Sequence, residues 1–542
     1  VRRTLASAAL LAGVLLGGAI AAAAQGGPPA APIAQIAPVG PGEPAAPETA
    51  APAAFQVANP CPEPAPAISV GTAQWNGWGR DPDNSRYQPE PALRASDAPK
   101  LRLKWAYGYH GASENGQPTV IDGRVFAATS TGRIYALDAR SGCTYWTYAA
   151  AAATHGGIVV GALAAPKLLT VVRKLKLKPS KNAHIDVDKP PCAVFFGDDA
   201  GAVYALDARN GQLIWKIQAD APPRARVTEA PALFHDRLYV PVSAREEPGG
   251  TSPGNACCTA RGSVVALDVA TGRLIWKAIM PAAGFAVGST PTIDVRRDVL
   301  YVTTGAAAAD GAQNVADAVV ALSLGEGTIR WVRKLGSAAP RSFTPRSDAD
   351  RAPILRALSL SSQILVVTDA SGVVFGLDPE RSGEPLWQSR LDVAGQSAVQ
   401  WGAAVDHRSV YAQFAREAPG EGAAPGHGLV ALDLKTGKSR WAVPSPDTGC
   451  GDSAQSCRDW QSQAVTVIPG IAFSGSADGH LQAHSTIDGR IVWEFATARP
   501  YTTVNALPAQ GGAIAYGGVA IVGGIVYVNS GDALLAFSVD GK

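Results

Sequence analysis

Eight times along this 542-residue chain a short apolar segment ends in a tryptophan. Seven of those tryptophans follow an Ala-Leu-Asp-like tripeptide and a glycine at a near-constant distance. The clearest copies are IYALDARSGCTYW, ending at Trp146, VYALDARNGQLIW at Trp215, VVALDVATGRLIW at Trp276 and LVALDLKTGKSRW at Trp441. Looser copies end at Trp331, Trp387 and Trp493. Trp105, in LKWAYGY, has the strand without the tripeptide, and Ala536-Phe537-Ser538 is a tripeptide with no tryptophan behind it.

Each copy reads as strand, tight turn, strand. Alternating apolar residues such as Ile134 and Ala136, or Val203 and Ala205, suit a sheet with one packed face. Asp and Gly supply the turn, because glycine tolerates positive φ and aspartate bonds nearby main chain. The tryptophan covers the neighbouring sheet. From Trp146 onward the copies lie 69, 61, 55, 56, 54 and 52 residues apart, too long for two strands and suited to four. Periods of this size belong to solenoids, propellers or arrays, and short strands with Gly-rich turns favour a propeller of four-stranded blades. The expectation is an all-β, eight-bladed β-propeller. Its last blade forms when the strand at Trp105 joins VAIVGGIVYVNSG and LLAFSV from the other end, which removes exposed sheet edges. The repeat tryptophans therefore read as core and specify fold, not chemistry.

Residues 1–24 read as a secretory signal peptide: Arg2 and Arg3, then LASAALLAGVLLGGAIA, then small alanines near Ala24. No cysteine follows for a lipoprotein anchor, and no later run is long enough to span a bilayer. Residues 25–66, rich in Ala and Pro, read as a disordered tether, and 67–542 as the propeller. The expected location is periplasmic or secreted. The formal net charge of +2 falls to zero once Arg2 and Arg3 are set aside, and both signs are dispersed, which argues against nucleic acid as a partner. The basic run VVRKLKLKPSK reads as a solvated loop or edge strand.

Seven cysteines in an exported chain point to disulfides. Cys450 and Cys457 share one loop and are expected to pair, Cys143 and Cys192 on consecutive blades are candidates to pair, and Cys61 is left over in the tether. Cys257 and Cys258 are adjacent. They are open to being two thiols, two separate bridges, or one strained ring that distorts the intervening peptide. No cysteine pair is followed by the histidine of a haem-attachment motif.

The segment CCTARGSVVALD resembles a stretch of the pyrroloquinoline-quinone (PQQ) dehydrogenases. So do WNGWGRDPDNSRYQP, LRLKWAYGY, SGCTYWTY, LYVPVSAREE, GSTPTIDVRRDVLYVTTG, LDPERSGEPLWQSRL, IPGIAFSGSADGHLQAHSTIDGRIVWEFATA and LLAFSVDGK, which together run from about Gln74 to Lys542. Within that family the strings are most similar to the polyvinyl alcohol dehydrogenases. The resemblance implies an eight-bladed propeller with PQQ in a central funnel, calcium beneath it, and oxidation of secondary alcohols in a polymer. It also implies that Cys257 and Cys258 form a disulfide ring over the quinone. In such enzymes the quinone accepts hydride, a carboxylate takes the hydroxyl proton, and calcium polarises a quinone carbonyl. The protein orients and polarises the cofactor.

Carried over residue by residue, the resemblance assigns Cys257, Cys258 and Arg261 to the cofactor, with Trp401 flanking the funnel and Asn505 bonding the cofactor. Glu246 and Glu247 in SAREEPGG are candidate calcium carboxylates, although an exposed acidic loop explains them equally; ordinary packing explains Trp401, and a turn explains Asn505. Other positions depart from the pattern. Ala306 stands where an asparagine ligand is expected, and Ala370 replaces a lysine. His155 stands in place of an arginine, and the loop after Trp331, RKLGSAAPRSF, lacks the aspartate base. Asp348 and Asp350 come later and would serve only in a rearranged loop. The last Gly-rich loop is shortened to Asp532.

Two readings of function follow. One is an exported quinoprotein that oxidises an alcohol or polymer and passes electrons to a separate cytochrome c. The other is a degenerate propeller that binds a ligand or partner without turnover, because losses fall on calcium ligand, base and cation; losing a base costs about two to four orders of magnitude in rate. A third, an envelope scaffold that helps insert outer-membrane barrels, shares the repeat but lacks the lipoprotein cysteine and has no use for the vicinal pair.

Overall fold

The computed structural model describes residues 58–69, 74–111, 116–163, 191–220, 225–244, 261–281, 286–305, 318–335, 351–369, 371–391, 397–398, 402–416, 426–444, 463–514 and 517–542. Eight antiparallel sheets of the expected kind are arranged around one axis. Blade 1 runs outward from the axis through Thr119–Ile121, Arg124–Ala128, Arg133–Asp138 and Thr144–Ala149. Blades 2 to 7 repeat it, the seventh ending with Ile491–Ala496. The innermost strands touch one another between blades 8 and 1 and in turn from blade 2 to blade 7. No helix among the described residues is long and apolar enough to cross a membrane.

The ring closes as the sequence anticipates. Blade 8 takes Ala520–Val522, Ile525–Ser530 and Ala533–Val539 from one end of the chain and its outer strand, Leu101–Gly108, from the other. Trp105, the tryptophan without a tripeptide, lies directly opposite Ala536, from the tripeptide without a tryptophan. The same pair recurs in blades 1 to 7, from Ala136 opposite Trp146 to Ala483 opposite Trp493; blade 5 has Gly376 opposite Trp387. The residue facing the indole must be small: a Cβ on Gly376 would stand 2.3 Å from the Trp387 ring.

Six of the tryptophans also hydrogen-bond the next blade. The indole N–H of Trp146 donates to the Ala208 carbonyl at 3.1 Å, and those of Trp215, Trp276, Trp387 and Trp441 donate to Val269, Leu324, Leu434 and Thr486. Trp493 of blade 7 donates to Leu101 at 3.1 Å and so holds the chain's two ends together. The acceptor is the residue just after the tripeptide, whose last member is Asp207, Asp268 or Asp433 in three of these blades and Ser323 or Ser485 in the others. Where that last member is aspartate it folds back on its own turn, as Asp268 does in accepting from Thr271 N at 2.9 Å. The turn glycine, at φ near +70°, lies under the indole of the preceding blade; at Gly327 a Cβ would come within 2.4 Å of Trp276.

The amino-terminal segment departs from expectation. Cys61 and Cys143 form a disulfide across a separation of 82 residues, so the proposed Cys143–Cys192 pair is not made and Cys61 is not left over. Cys192 instead directs its Sγ toward the Ile68 carbonyl at 3.8 Å. The cause is local: Pro60 bridges Thr144 in parallel, with Cys61 N donating to Thr144 O at 3.0 Å and Thr144 N to Asn59 O at 2.8 Å. This adds an edge to blade 1 within the stretch that composition assigned to a tether. Ala65 and Ile68 are buried beyond it. The Cys450–Cys457 expectation lies outside the described residues.

Two stability measurements test this account. Gly327→Ala should cost about 1–2 kcal/mol for positive φ and about 1–3 kcal/mol more for overpacking. Gly123→Ala, at φ +75° with nothing within 4 Å, should show only the first cost in urea melts. Cys61→Ser should lower stability by about 4 kcal/mol, and non-reducing peptide mapping of the parent should recover a Cys61–Cys143 cross-link.

Candidate functional site

The strings that carry no repeat build the floor of the site. Residues 75–88 cross the axis and touch the inner strand region of every blade. Trp75 exchanges main-chain bonds with Val120 of blade 1 at 2.8 Å, and Asn76 pairs its amide with Val160 of blade 2. Carbonyls of Pro82, Asp83, Ser85 and Arg86 accept from Ile293, Leu355, Val405 and Val467 in blades 4, 5, 6 and 7. Gln88 reaches Ile521 of blade 8. Trp78 packs against Ala230, Ala352 and Ala464, which immediately precede the inner strands of blades 3, 5 and 7. These contacts plug the central channel at the level of the inner strands.

Arg86 secures this plug. It is 0% exposed, and its guanidinium lies 4.7 Å from the Trp78 ring and 5.4 Å from that of Trp75. Its N–H groups donate to Val465 O at 2.7 Å, Trp78 O at 2.6 Å, and Gln117 Oε1 and Thr466 Oγ1 at 3.0 Å each. A Cβ at Gly518 would overlap the guanidinium, so that glycine is required by space.

The residues just before the inner strands of blades 1, 3, 4, 5 and 7 make a partial ring of buried polar groups: Gln117, Glu229, Ser289, Thr290, Arg351 and Gln463. On the wall between blades 1 and 3, His155 Nε2 is 3.4 Å from Asp199 Oδ2, which also faces Arg226 at 3.3 Å. Gln117 is satisfied by Arg86, Gly518 N at 2.6 Å and Pro118 O at 3.3 Å. Gln463, 1% exposed, has no hydrogen-bond partner for either amide atom among the described residues.

The residues assigned from sequence fare unevenly. Cys257, Cys258, Glu246, Glu247, Trp401, Asp348 and Asp350 lie outside the described residues, as do Ala306 and Ala370. Arg261 is exposed. Asn505 is buried, and both ends of its amide are engaged by one residue: Oδ1 accepts from Gly108 N and Nδ2 donates to Gly108 O, each at 2.9 Å. Its amide pins that loop to Gly108. Missed in the sequence were Trp78, Arg86, Glu229 and Gln463. The available signal was WNGWGRDPDNSRYQP itself, dense in Trp, Gly, Asp and Arg and without strand alternation.

Two family models match. One, described as "Glucose/ethanol/alcohol dehydrogenase, beta-propeller domain", covers residues 75–215; the other, "Outer membrane protein assembly factor BamB", covers 199–412, 260–467 and 370–542. The chain is 36% identical over 532 residues to a polyvinylalcohol dehydrogenase of Pseudomonas sp, covering 89% of this chain and 80% of that protein. It is 34% identical over 534 residues to a polyvinylalcohol dehydrogenase of Sphingopyxis sp. (strain 113P3), covering 88% and 78%. The chain belongs to the PQQ-dependent alcohol dehydrogenase family. In fold, this family member also resembles the quinohemoprotein alcohol dehydrogenase from Comamonas testosteroni, with TM-score 0.61 and 17% identity over 87% of this chain and 81% of that one.

PQQ is a flat quinone bearing carboxylates. The donors of the ring, a guanidinium on Arg351 and hydroxyls on Ser289 and Thr290, are of the type that such a group needs. Calcium needs six to eight oxygen ligands, and no group of three or more His, Cys, Asp or Glu side chains is gathered among the described residues. Glu229 is the ring's buried acid.

Asp83 lies on the same plug. Burial, then Asp81, push its pKa up to about 7, partly opposed by Arg356. The raised value makes its stabilising effect complete below about pH 4, its unfolded value, and lost as pH rises through about 7. Asp83→Asn should therefore raise unfolding free energy at pH 8 and leave it unchanged near pH 4. The slope between those limits should flatten by up to about 1.4 kcal/mol per pH unit in urea melts.

Proposed function

We propose that this PQQ-family propeller oxidises secondary hydroxyl groups, with polyvinyl alcohol or a similar polymer as substrate, and passes electrons to a separate acceptor such as a cytochrome c. The observation that carries the reading is the 34–36% identity to two polyvinylalcohol dehydrogenases over nearly nine-tenths of the chain. The plug across the axis supports it, because a quinone held against it would be reached from one side only. When bound, the quinone supplies the hydride acceptor. Arg351, Ser289 and Thr290 would hold and orient it from the floor. Calcium as a second cofactor, and Glu246 and Glu247 as its ligands, belong to the same proposal. Export to an oxidising compartment also belongs to it, and the Cys61–Cys143 disulfide supports that location.

Binding without turnover is the second reading. His155 supports it: the arginine expected at that position is replaced by a side chain already facing Asp199. Ala306, Ala370 and the acid-free stretch after Trp331 point the same way.

One experiment separates the two. Purified protein is loaded with PQQ, with and without calcium, and quinone retention is measured by absorbance after gel filtration. Dye reduction is then followed on adding polyvinyl alcohol or isopropanol. The dehydrogenase reading expects retained quinone and alcohol-dependent dye reduction that is lost on chelation. Retained quinone without dye reduction, or no retained quinone even with calcium, overturns it in favour of binding without turnover.

A further inference from the structure

We infer that Gln463 and Gln413 form a subsite for hydroxyl groups of the substrate chain, between blades 6 and 7; naming the substrate as a polyol rests on the dehydrogenase reading. Gln463 is the only side chain among the described residues with two buried polar atoms that lack a partner. Leaving such groups unpaired is costly, and native interiors rarely do so without a ligand or functional reason. Glutamines with purely structural roles nearby behave differently. Gln117 engages both ends of its amide. Gln88 Nε2 donates to Ile521 O at 3.1 Å and its Oε1 accepts from Glu90 N at 3.3 Å.

The chain makes room for the Gln463 amide. A Cβ on Gly475, at the end of the second strand of blade 7, would stand 2.7 Å from Gln463 Cδ and 2.9 Å from its Oε1. The same glycine receives the second glutamine, since Gln413 Nε2 of blade 6 donates to Gly475 O at 3.1 Å. That bond fixes the Gln413 amide and leaves its buried Oε1 without a partner. The next residue along, Ala464, packs on Trp78 of the plug, which sets Gln463 beside the axis.

The unpaired atoms define the ligand. Two are carbonyl oxygens, which only accept, and one is an amide nitrogen, which only donates. A carboxylate or quinone carbonyl cannot donate to either oxygen. A hydroxyl can donate to one glutamine and accept from the other. No charged residue is required, so the subsite suits neutral hydroxyls repeated along a chain. It would hold the hydroxyls flanking the one that reacts.

The test compares Gln463→Leu with Gln413→Leu in PQQ-loaded protein. Substrates are isopropanol, a diol with hydroxyls on alternate carbons, and short polyvinyl alcohol. Each variant should raise KM for the diol and polymer about five- to tenfold more than KM for isopropanol. Quinone retention should not change, and the Tm of Gln463→Leu should be equal to or above the parent's because an unpaired amide is removed. Equal effects on all three alcohols, or a loss of quinone affinity, would overturn the subsite. If no alcohol is oxidised, the subsite is still tested by tryptophan-fluorescence titration with short polyvinyl alcohol. Equal affinity of parent and variants rejects it, and five- to tenfold weaker binding supports it although the dehydrogenase reading has failed.

Discussion

The contact on which the molecule depends is an indole laid over a glycine turn of the adjacent blade. Three requirements meet there. The tryptophan needs a small residue across its own sheet, supplied by Ala136 or its counterparts. It needs an open surface on the next blade, supplied by a glycine such as Gly327. It needs an acceptor for its N–H, supplied by the carbonyl just after the tripeptide, as at Leu324. Each bond is worth about 1 kcal/mol, and the buried ring contributes more through its area. Because each lock joins neighbours only, the blades between them tolerate loops of differing length.

Closure tests the lock with an exception. At Trp105 the indole lies over Gly142 as elsewhere, but its Nε1 has no partner among the described residues. The Ala139 carbonyl accepts instead from the Tyr527 hydroxyl at 2.9 Å. Blade 8 thus keeps the packing half of the contact and shifts its polar half to another residue. Trp493 compensates from the other side, bonding Leu101 and meeting Phe537 edge-on at 5.5 Å.

What could be read in the sequence was what repeats. Periodic Ala-Leu-Asp, Gly and Trp gave eight blades, and the mismatch between Trp105 and Ala536-Phe537-Ser538 gave the closure. What could not be read depends on contacts made once. The Cys61–Cys143 bridge is set by a parallel bridge between Pro60 and Thr144, and no spacing rule brings residues so far apart together. The Asn505 amide bonds Gly108, distant in sequence, a contact no motif announces. The plug was visible as an aperiodic string. Its role appears only when all eight inner strands are present to receive it.

The same division governs the chemistry. Residues that make the central channel are fixed by the ring, whereas charge near its wall can be supplied from more than one blade. His155 stands where the family carries an arginine, yet Arg226 of blade 3 brings a guanidinium to Asp199, which His155 also faces. A cation is therefore retained within this small cluster after its expected position has been lost. In a ring of near-equivalent blades, a substitution at one strand end can be offset from the next, because neighbouring strand ends converge on the same axis. Loss of a family residue at a wall position is thus a weaker argument against function than loss at the plug, where Arg86 alone donates to Trp78, Gln117, Val465 and Thr466.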